Sequence, residues 1–247
     1  MRRRTLLALL AGSVCLPASA ANHGLIEPGL HIVPGGKTAP RVALTLDACM
    51  GGVDQRILDV LVGRRIAATL FVTGRWLSTN SAALETLLAH PDLFELENHG
   101  AMHVPAVLGA QRVYGIRPAG TLTAIRAEVS GGALAMTHAG ITPPLWYRDA
   151  TALYSPEALR LITGMGYRVA GFSLNADFGA SLPADKVAAR IAAARDGDVI
   201  IAHINQPHRA SGAGVAQGIL ALQAKGFNFV RLQDVGEPDA LGPVQLL

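Results

Sequence analysis

Residues 41–74, RVALTLDACMGGVDQRILDVLVGRRIAATLFVTG, decide the architecture. Arg41 to Leu46 and Ala68 to Thr73 are short runs of apolar and β-branched residues. Both faces of each run are apolar, so neither suits the wet side of an antiparallel sheet. Between them, Asp54 to Val62 reads as a helix. A strand, a helix and a second strand with no solvated face imply a parallel pair joined by a crossover helix.

The same unit recurs along the chain. Strands are expected at Leu93 to Asn98, Leu145 to Arg148, Tyr167 to Leu174, Asp198 to Ile204 and Phe227 to Leu232, about seven in all. Helices are expected at Ser81 to Ala89, Gly120 to Val129, Ser155 to Thr163, Pro183 to Arg195 and Gly214 to Ala224. Ser155-Pro156 is an N-cap followed by proline in the first turn, and Gly164, Gly197 and Gly226 stand where helices should stop. The first strand is not followed by a Gly-x-Gly-x-x-Gly turn, so an α/β barrel is favoured over an open doubly wound sheet. Residues 41–247 read as one catalytic-sized domain and residues 21–40, rich in Pro and Gly, as an irregular lead-in.

Half of the 247 residues are hydrophobic and 16% are charged, which excludes a disordered or fibrous chain. Residues 1–20 have the three parts of a secretory signal peptide: Arg2 to Arg4, an apolar run from Leu6 to Leu16, and Ala18-Ser19-Ala20. Arg3-Arg4 also fits twin-arginine export. The expectation is an exported protein, periplasmic or secreted, with no transmembrane segment in the mature chain. Without the three leader arginines the net charge of +3 falls to zero, and aromatic residues are only 5%, so nucleic acid is not an expected partner. Cys15 lies in the leader, which leaves Cys49 without a disulfide partner.

Polar residues cluster at strand ends. Asp47 follows the first strand, Asn98 and His99 the third, Arg148 ends the fourth, Asp177 follows the fifth and His203 lies near the end of the sixth. In a parallel barrel these C-terminal ends share one face, where active sites are built. His99 and His103, four apart, suit a shared divalent cation, with zinc first.

These residues resemble the polysaccharide deacetylases of the NodB-homology class, carbohydrate esterase family four, over most of the mature chain. Thr45-Leu46-Asp47-Ala48-Cys49 looks like the family's Thr-Phe-Asp-Asp-Gly, and Asn98-His99-Gly100-Ala101-Met102-His103 like its Asn-His-Ser/Thr-x-x-His. Tyr147-Arg148 resembles its Arg-Pro-Pro-Tyr segment, Phe172 to Asp177 its Asp-x-x-Asp-Trp region, and Ile201-Ala202-His203 its Leu-x-His. The resemblance implies a distorted (β/α) barrel that holds zinc, with cobalt or nickel as alternatives, and removes acetyl groups from N- or O-acetylated oligo- or polysaccharide. His99 and His103 would hold the metal, and Asp47 would be the base. Arg148 would keep Asp47 ionised and His203 would be the acid, partnered by Asp177 or by Asn175 in its place. Backbone N–H groups near Ala150 or Thr151 would share the oxyanion.

The sequence departs from the family at Ala48, where a second Asp usually binds the metal. Asp47, Cys49, or substrate and water are the candidates for the missing ligand. Phe178-Gly179 replaces an expected tryptophan of the acyl pocket. Two other functions remain open: hydrolysis of a non-sugar amide on the same barrel, and carbohydrate binding without catalysis.

Overall fold

In the computed structural model the described residues, 24–235 and 245–246, run in order as β1 (Ile26–Glu27), β2 (Arg41–Ala48), α1 (Gln55–Gly63), β3 (Ala68–Val72), α2 (Gly74–Leu77), α3 (Ser81–Leu88), β4 (Phe94–Asn98), α4 (Leu122–His138), β5 (Trp146–Tyr147), α5 (Pro156–Gly164), β6 (Arg168–Val169), β7 (Leu174–Asn175), α6 (Ala184–Ala192), β8 (Val199–His203), α7 (Ser211–Ala224), β9 (Asn228–Val230) and β10 (Gln245–Leu246). The expected leader, residues 1–20, lies outside them. No helix among the described residues is long and apolar enough to cross a membrane.

Strand alternation sorts the side chains into two layers. From β2, Val42, Leu44, Leu46 and Ala48 pack outward with Ile57, Leu58 and Leu61 of α1 and with Val215, Ile219 and Leu222 of α7. Ala43 points inward, among Phe71, Trp146, Ala170 and Val199. Thr45 and Asp47 share that inner face by the period of two, so the apolar look of both faces reflects two dry environments.

The strands lie in the order β6-β5-β4-β3-β2-β8-β7, seven in parallel, with β9 beside the first residues of β2. The result is a sheet curled into a half-barrel with helices outside, the expected distorted (β/α) barrel. Its two edges, β6 and β7, are halves of what the sequence suggests is one strand, Tyr167 to Leu174. That strand is interrupted because the lead-in runs against its middle. Phe172 N donates to Pro28 O (3.4 Å), Leu30 N donates to Phe172 O (3.3 Å), and a Cβ on Gly171 would sit 2.0 Å from Pro28 O. Residues 24–40 are therefore structural: Leu30 and Ile32 are buried in the inner core, and β1 pairs antiparallel with β10.

The expected helix over Gly120 to Val129 instead spans Leu122–His138. Gly131 and Gly132 lie inside it, and Gly132 is a point of close approach. A Cβ there would lie 2.2 Å from Asn98 Oδ1 and 2.7 Å from the Gly100 carbonyl carbon. Asn98 Nδ2 donates to Val129 O (2.9 Å), so α4 is locked onto the loop that carries His99. The α2 turn was not anticipated; Thr73 caps it by accepting from Trp76 N (2.9 Å).

Inside the barrel, Glu95 and Glu97 form a buried carboxyl pair. Thr69 Oγ1 donates to Glu95 Oε2 (2.6 Å) and Trp146 N to Glu97 Oε2 (2.7 Å). Burial, helped by the charge of Glu95 and opposed by the Trp146 N–H, pushes Glu97 up to about 9. Between its usual 4.5 and about 9 the folded chain holds a proton that the unfolded chain has released. Stability must then fall as pH rises through that window. Glu97→Gln keeps an acceptor for Trp146 and needs no proton. It is expected to flatten the slope and to raise stability at pH 8 by about 1–3 kcal/mol, one pKa unit being about 1.4 kcal/mol. Urea unfolding at pH 6 and pH 8 checks this; an unchanged slope refutes it.

Candidate functional site

The six strand-end residues, Asp47, Asn98, His99, Arg148, Asp177 and His203, lie at one end of the barrel. Arg148, fully buried after β5, is the hub. Its Nη1 donates to Asp47 Oδ1 (2.8 Å) and Thr45 Oγ1 (2.9 Å), its Nη2 to Gly171 O (3.0 Å) and its Nε to Ala170 O (3.3 Å). The guanidinium carbon lies 4.2 Å from the centre of the Phe71 ring. Burial alone would raise the Asp47 carboxyl, but Arg148, His99 and His203 outweigh it and hold it below its usual value.

The carbonyl of Arg148 fixes the tautomer of His99. That oxygen can only accept, and it lies 2.9 Å from His99 Nδ1, so Nδ1 carries a hydrogen and Nε2 is the nitrogen turned to the site. His99 Nε2 lies 3.5 Å from Cys49 Sγ and 3.9 Å from Asp47 Oδ2. The His103 ring stands edge-on to His99 at 5.1 Å between centroids, and neither of its nitrogens has a hydrogen-bond partner. One ligand atom each from Cys49, His99 and His103 lie within 4.8 Å of one another, a donor set suited to a divalent metal. Burial disfavours charge on His99, but Asp47 and Cys49 prevail and raise it to about 9. A metal taken up there displaces a proton, so its affinity rises with pH. Burial likewise opposes a thiolate at Cys49, yet His99, His103 and His203 hold the thiol well below its usual value.

Across the site, His203 is gripped twice by Asp177: Nδ1 lies 2.9 Å from Oδ1, and the His203 backbone N donates to Oδ2 (2.8 Å). Burial works against an imidazolium, but the Asp177 carboxylate raises His203 well above its usual value. Asn175 is not the partner; its Oδ1 accepts from Phe178 N (2.9 Å) and shapes the loop. Asp47, Cys49, His103, His203 and Ala150 line a cavity of about 540 Å³, with Tyr114 and Phe178 among its wall residues.

Asp149, which carries no sequence signal, braces the next turn. Its carboxylate accepts from Ala106 N (2.5 Å), from Thr151 N (2.8 Å) and from Thr151 Oγ1 (2.7 Å). Thr151 N is thus engaged. Of the two backbone donors suggested for an oxyanion, Ala150 N is the one without a partner among the described residues.

Residues 35–170, more than half of the chain, match the family model described as polysaccharide deacetylase. The chain belongs to the polysaccharide deacetylase family. Solved structures of the family share its fold. A family 4 carbohydrate esterase from Streptomyces lividans, in complex with acetate, is 19% identical over 84% of this chain and 100% of its own, with a TM-score of 0.62. The peptidoglycan deacetylase PdaC from Bacillus subtilis is 20% identical over 81% and 91%, with a TM-score of 0.63. A family 4 pseudoenzyme from Bacillus anthracis is 16% identical over 83% and 67%, with a TM-score of 0.65. No curated protein matches the chain. Enzymes of this polysaccharide deacetylase family are metal-dependent carbohydrate esterases and deacetylases, and the Cys49, His99 and His103 donors fit a metal.

Proposed function

We propose that the protein is a metal-dependent hydrolase that removes acetyl groups from N-acetylated or O-acetylated carbohydrate outside the cytoplasm. The observation that carries this reading is a pair of opposed proton-handling groups on one cavity: Asp47, fixed by Arg148, and His203, fixed by Asp177. A non-catalytic sugar site has no need of either arrangement. Zinc is the first candidate for the metal, with cobalt or nickel next, and His99 and His103 would hold it. Bound there, it would polarise the acetyl carbonyl and acidify water towards a pKa of about 7.

Asp47 takes the proton of the attacking water through Oδ2, because Oδ1 is committed to Arg148. Ala150 N–H would donate to the developing oxyanion. His203, kept protonated by Asp177, gives its proton to the leaving amine or alkoxide, a step amines need more than esters do. The family, and relatives named for peptidoglycan and for carbohydrate ester chemistry, support this choice of substrate class. Export through a signal peptide at residues 1–20 would place the protein in the periplasm or medium.

A second reading has its own support. The Bacillus anthracis neighbour is a pseudoenzyme, and by the motif resemblance Ala48 would stand where the family has its metal-binding Asp. This would make the chain a carbohydrate-binding barrel. The test is acetate release from acetylated glucosamine oligomers, acetyl xylan and simple amides, by protein dialysed against chelator and then reloaded with zinc. Release that disappears with chelator, returns with zinc and is absent in His99→Ala supports the enzyme. Sugar binding without release by zinc-loaded protein supports the barrel, and release from simple amides alone moves the substrate away from sugar.

A further inference from the structure

The strand period that hides Ala48 in the helix layer turns Cys49 the other way. Ala48 is fully buried among Leu46, Val72 and Ala202, whereas Thr45, Asp47 and then Cys49 follow the inner face. The backbone there is tied from two neighbouring strand ends. Thr73 Oγ1 donates to Cys49 O (2.6 Å), and Asn205 Nδ2 donates to Met50 O (2.5 Å). The thiol is therefore held against His99, His103 and the cavity, not in an apolar pocket of the kind that usually encloses a structural cysteine.

The spacing can be compared with coordination geometry. With metal–sulfur near 2.3 Å and metal–nitrogen near 2.0–2.1 Å, two ligands of a tetrahedral zinc stand about 3.5 Å apart. Cys49 Sγ and His99 Nε2 are 3.5 Å apart. His99 Nε2 is the nitrogen turned to the site, and His103, in a left-handed conformation at φ +66, has two unpartnered nitrogens, one of which belongs to the same 4.8 Å cluster. Asp47 is the competing third ligand. It lies further from His99, 3.9 Å against 3.5 Å, and already spends one oxygen on Arg148.

We propose that Cys49 is the third protein ligand, giving a centre of one thiolate and two imidazoles in which a thiolate takes the place of a carboxylate. This rests on the metal-dependent reading of the site and adds to it a selectivity. A thiolate favours zinc, cobalt(II) and cadmium over magnesium, calcium and manganese. Metal binding takes Cys49 as thiolate and both imidazoles as neutral ligands, and any proton they carry leaves to solvent.

The test uses the full chain loaded with cobalt(II). A thiolate ligand gives a sulfur-to-cobalt charge-transfer band in the near ultraviolet, which oxygen and nitrogen ligands do not. The expected results are that band in the wild type, its loss in Cys49→Ser, and a fall in zinc affinity of at least 100-fold in Cys49→Ser, since even outer-shell losses cost 10–100-fold. Cys49→Asp should still take up cobalt without the band. It also guards against misfolding of the serine variant. A cobalt-loaded wild type without the band, or zinc affinity within twofold in Cys49→Ser, overturns the proposal. Failure of the wild type to bind cobalt or zinc overturns it together with the metal-dependent reading. The band without acetate release keeps Cys49 as ligand and removes only the deacetylase reading.

Discussion

Asp47→Asn is expected to lower acetate release by about 10²–10⁴, the range for loss of a positioned general base, while metal content stays at the wild-type level. Asparagine has the size of aspartate, and its Oδ1 still accepts from Arg148 Nη1. Its Nδ2, facing the attacking water where Oδ2 stood, cannot take a proton. The separation of turnover from metal content follows from the site's division of labour. In the proposed site the metal would be held by other residues, and Arg148 fixes Asp47 from behind. A second effect accompanies it. Arg148 is fully buried, and Asp47 is the anion that balances it. An unbalanced buried cation costs about 3–5 kcal/mol, so the variant should also melt earlier. Turnover is therefore measured well below the variant's melting temperature, with circular dichroism beside it. A folded Asp47→Asn protein with wild-type turnover would remove Asp47 as the base.

The residues that make this site were visible because burial and chemistry conflict in them. Asp47, Arg148 and His203 stand at the ends of apolar runs, where a charged group must be either satisfied or functional, and parallel strands carry such ends to one face. Glu95 and Glu97, alternating inside an apolar run, are the same kind of signal lower in the barrel. Other features depend on partners far along the chain. The interruption at Gly171 exists because Pro28 lies against it, and the length of α4 depends on Asn98 filling the space that a side chain at Gly132 would take. Read locally, Gly131-Gly132 says only that helix is costly there. Asp149 acts on Ala106 N and on its own turn, and neither contact has a sequence pattern. Cys49 was undecidable for a sharper reason. Which of residues 47, 48 and 49 face the cavity depends on where the strand alternation stops, and the structure carries it one residue beyond β2.

Asp177→Asn and His203→Ala should then fail in different ways, and the difference tests the acid. His203→Ala removes the proton donor. It is expected to lower hydrolysis of acetamido sugars by about 10²–10⁴. An acetyl ester with a good leaving group should lose far less, because such an alkoxide departs without full protonation. Asp177→Asn leaves the imidazole in place and still offers an oxygen to Nδ1, but it removes the charge that stabilises the imidazolium. Burial alone would lower the His203 pKa; Asp177 is the largest influence that raises it, with Cys49 adding to it. Without that carboxylate the pKa falls. The acid form is the working form, so activity is lost as pH rises through the His203 pKa. Lowering that pKa moves the alkaline limb of the kcat/KM profile to lower pH. Activity of Asp177→Asn should approach the wild-type level at acidic pH and fall away in the neutral range, where the wild type still works. A variant that is slower by the same factor at every pH would make Asp177 a structural brace for the β8 terminus, acting through its bond to His203 N, and would leave the leaving-group proton to another source.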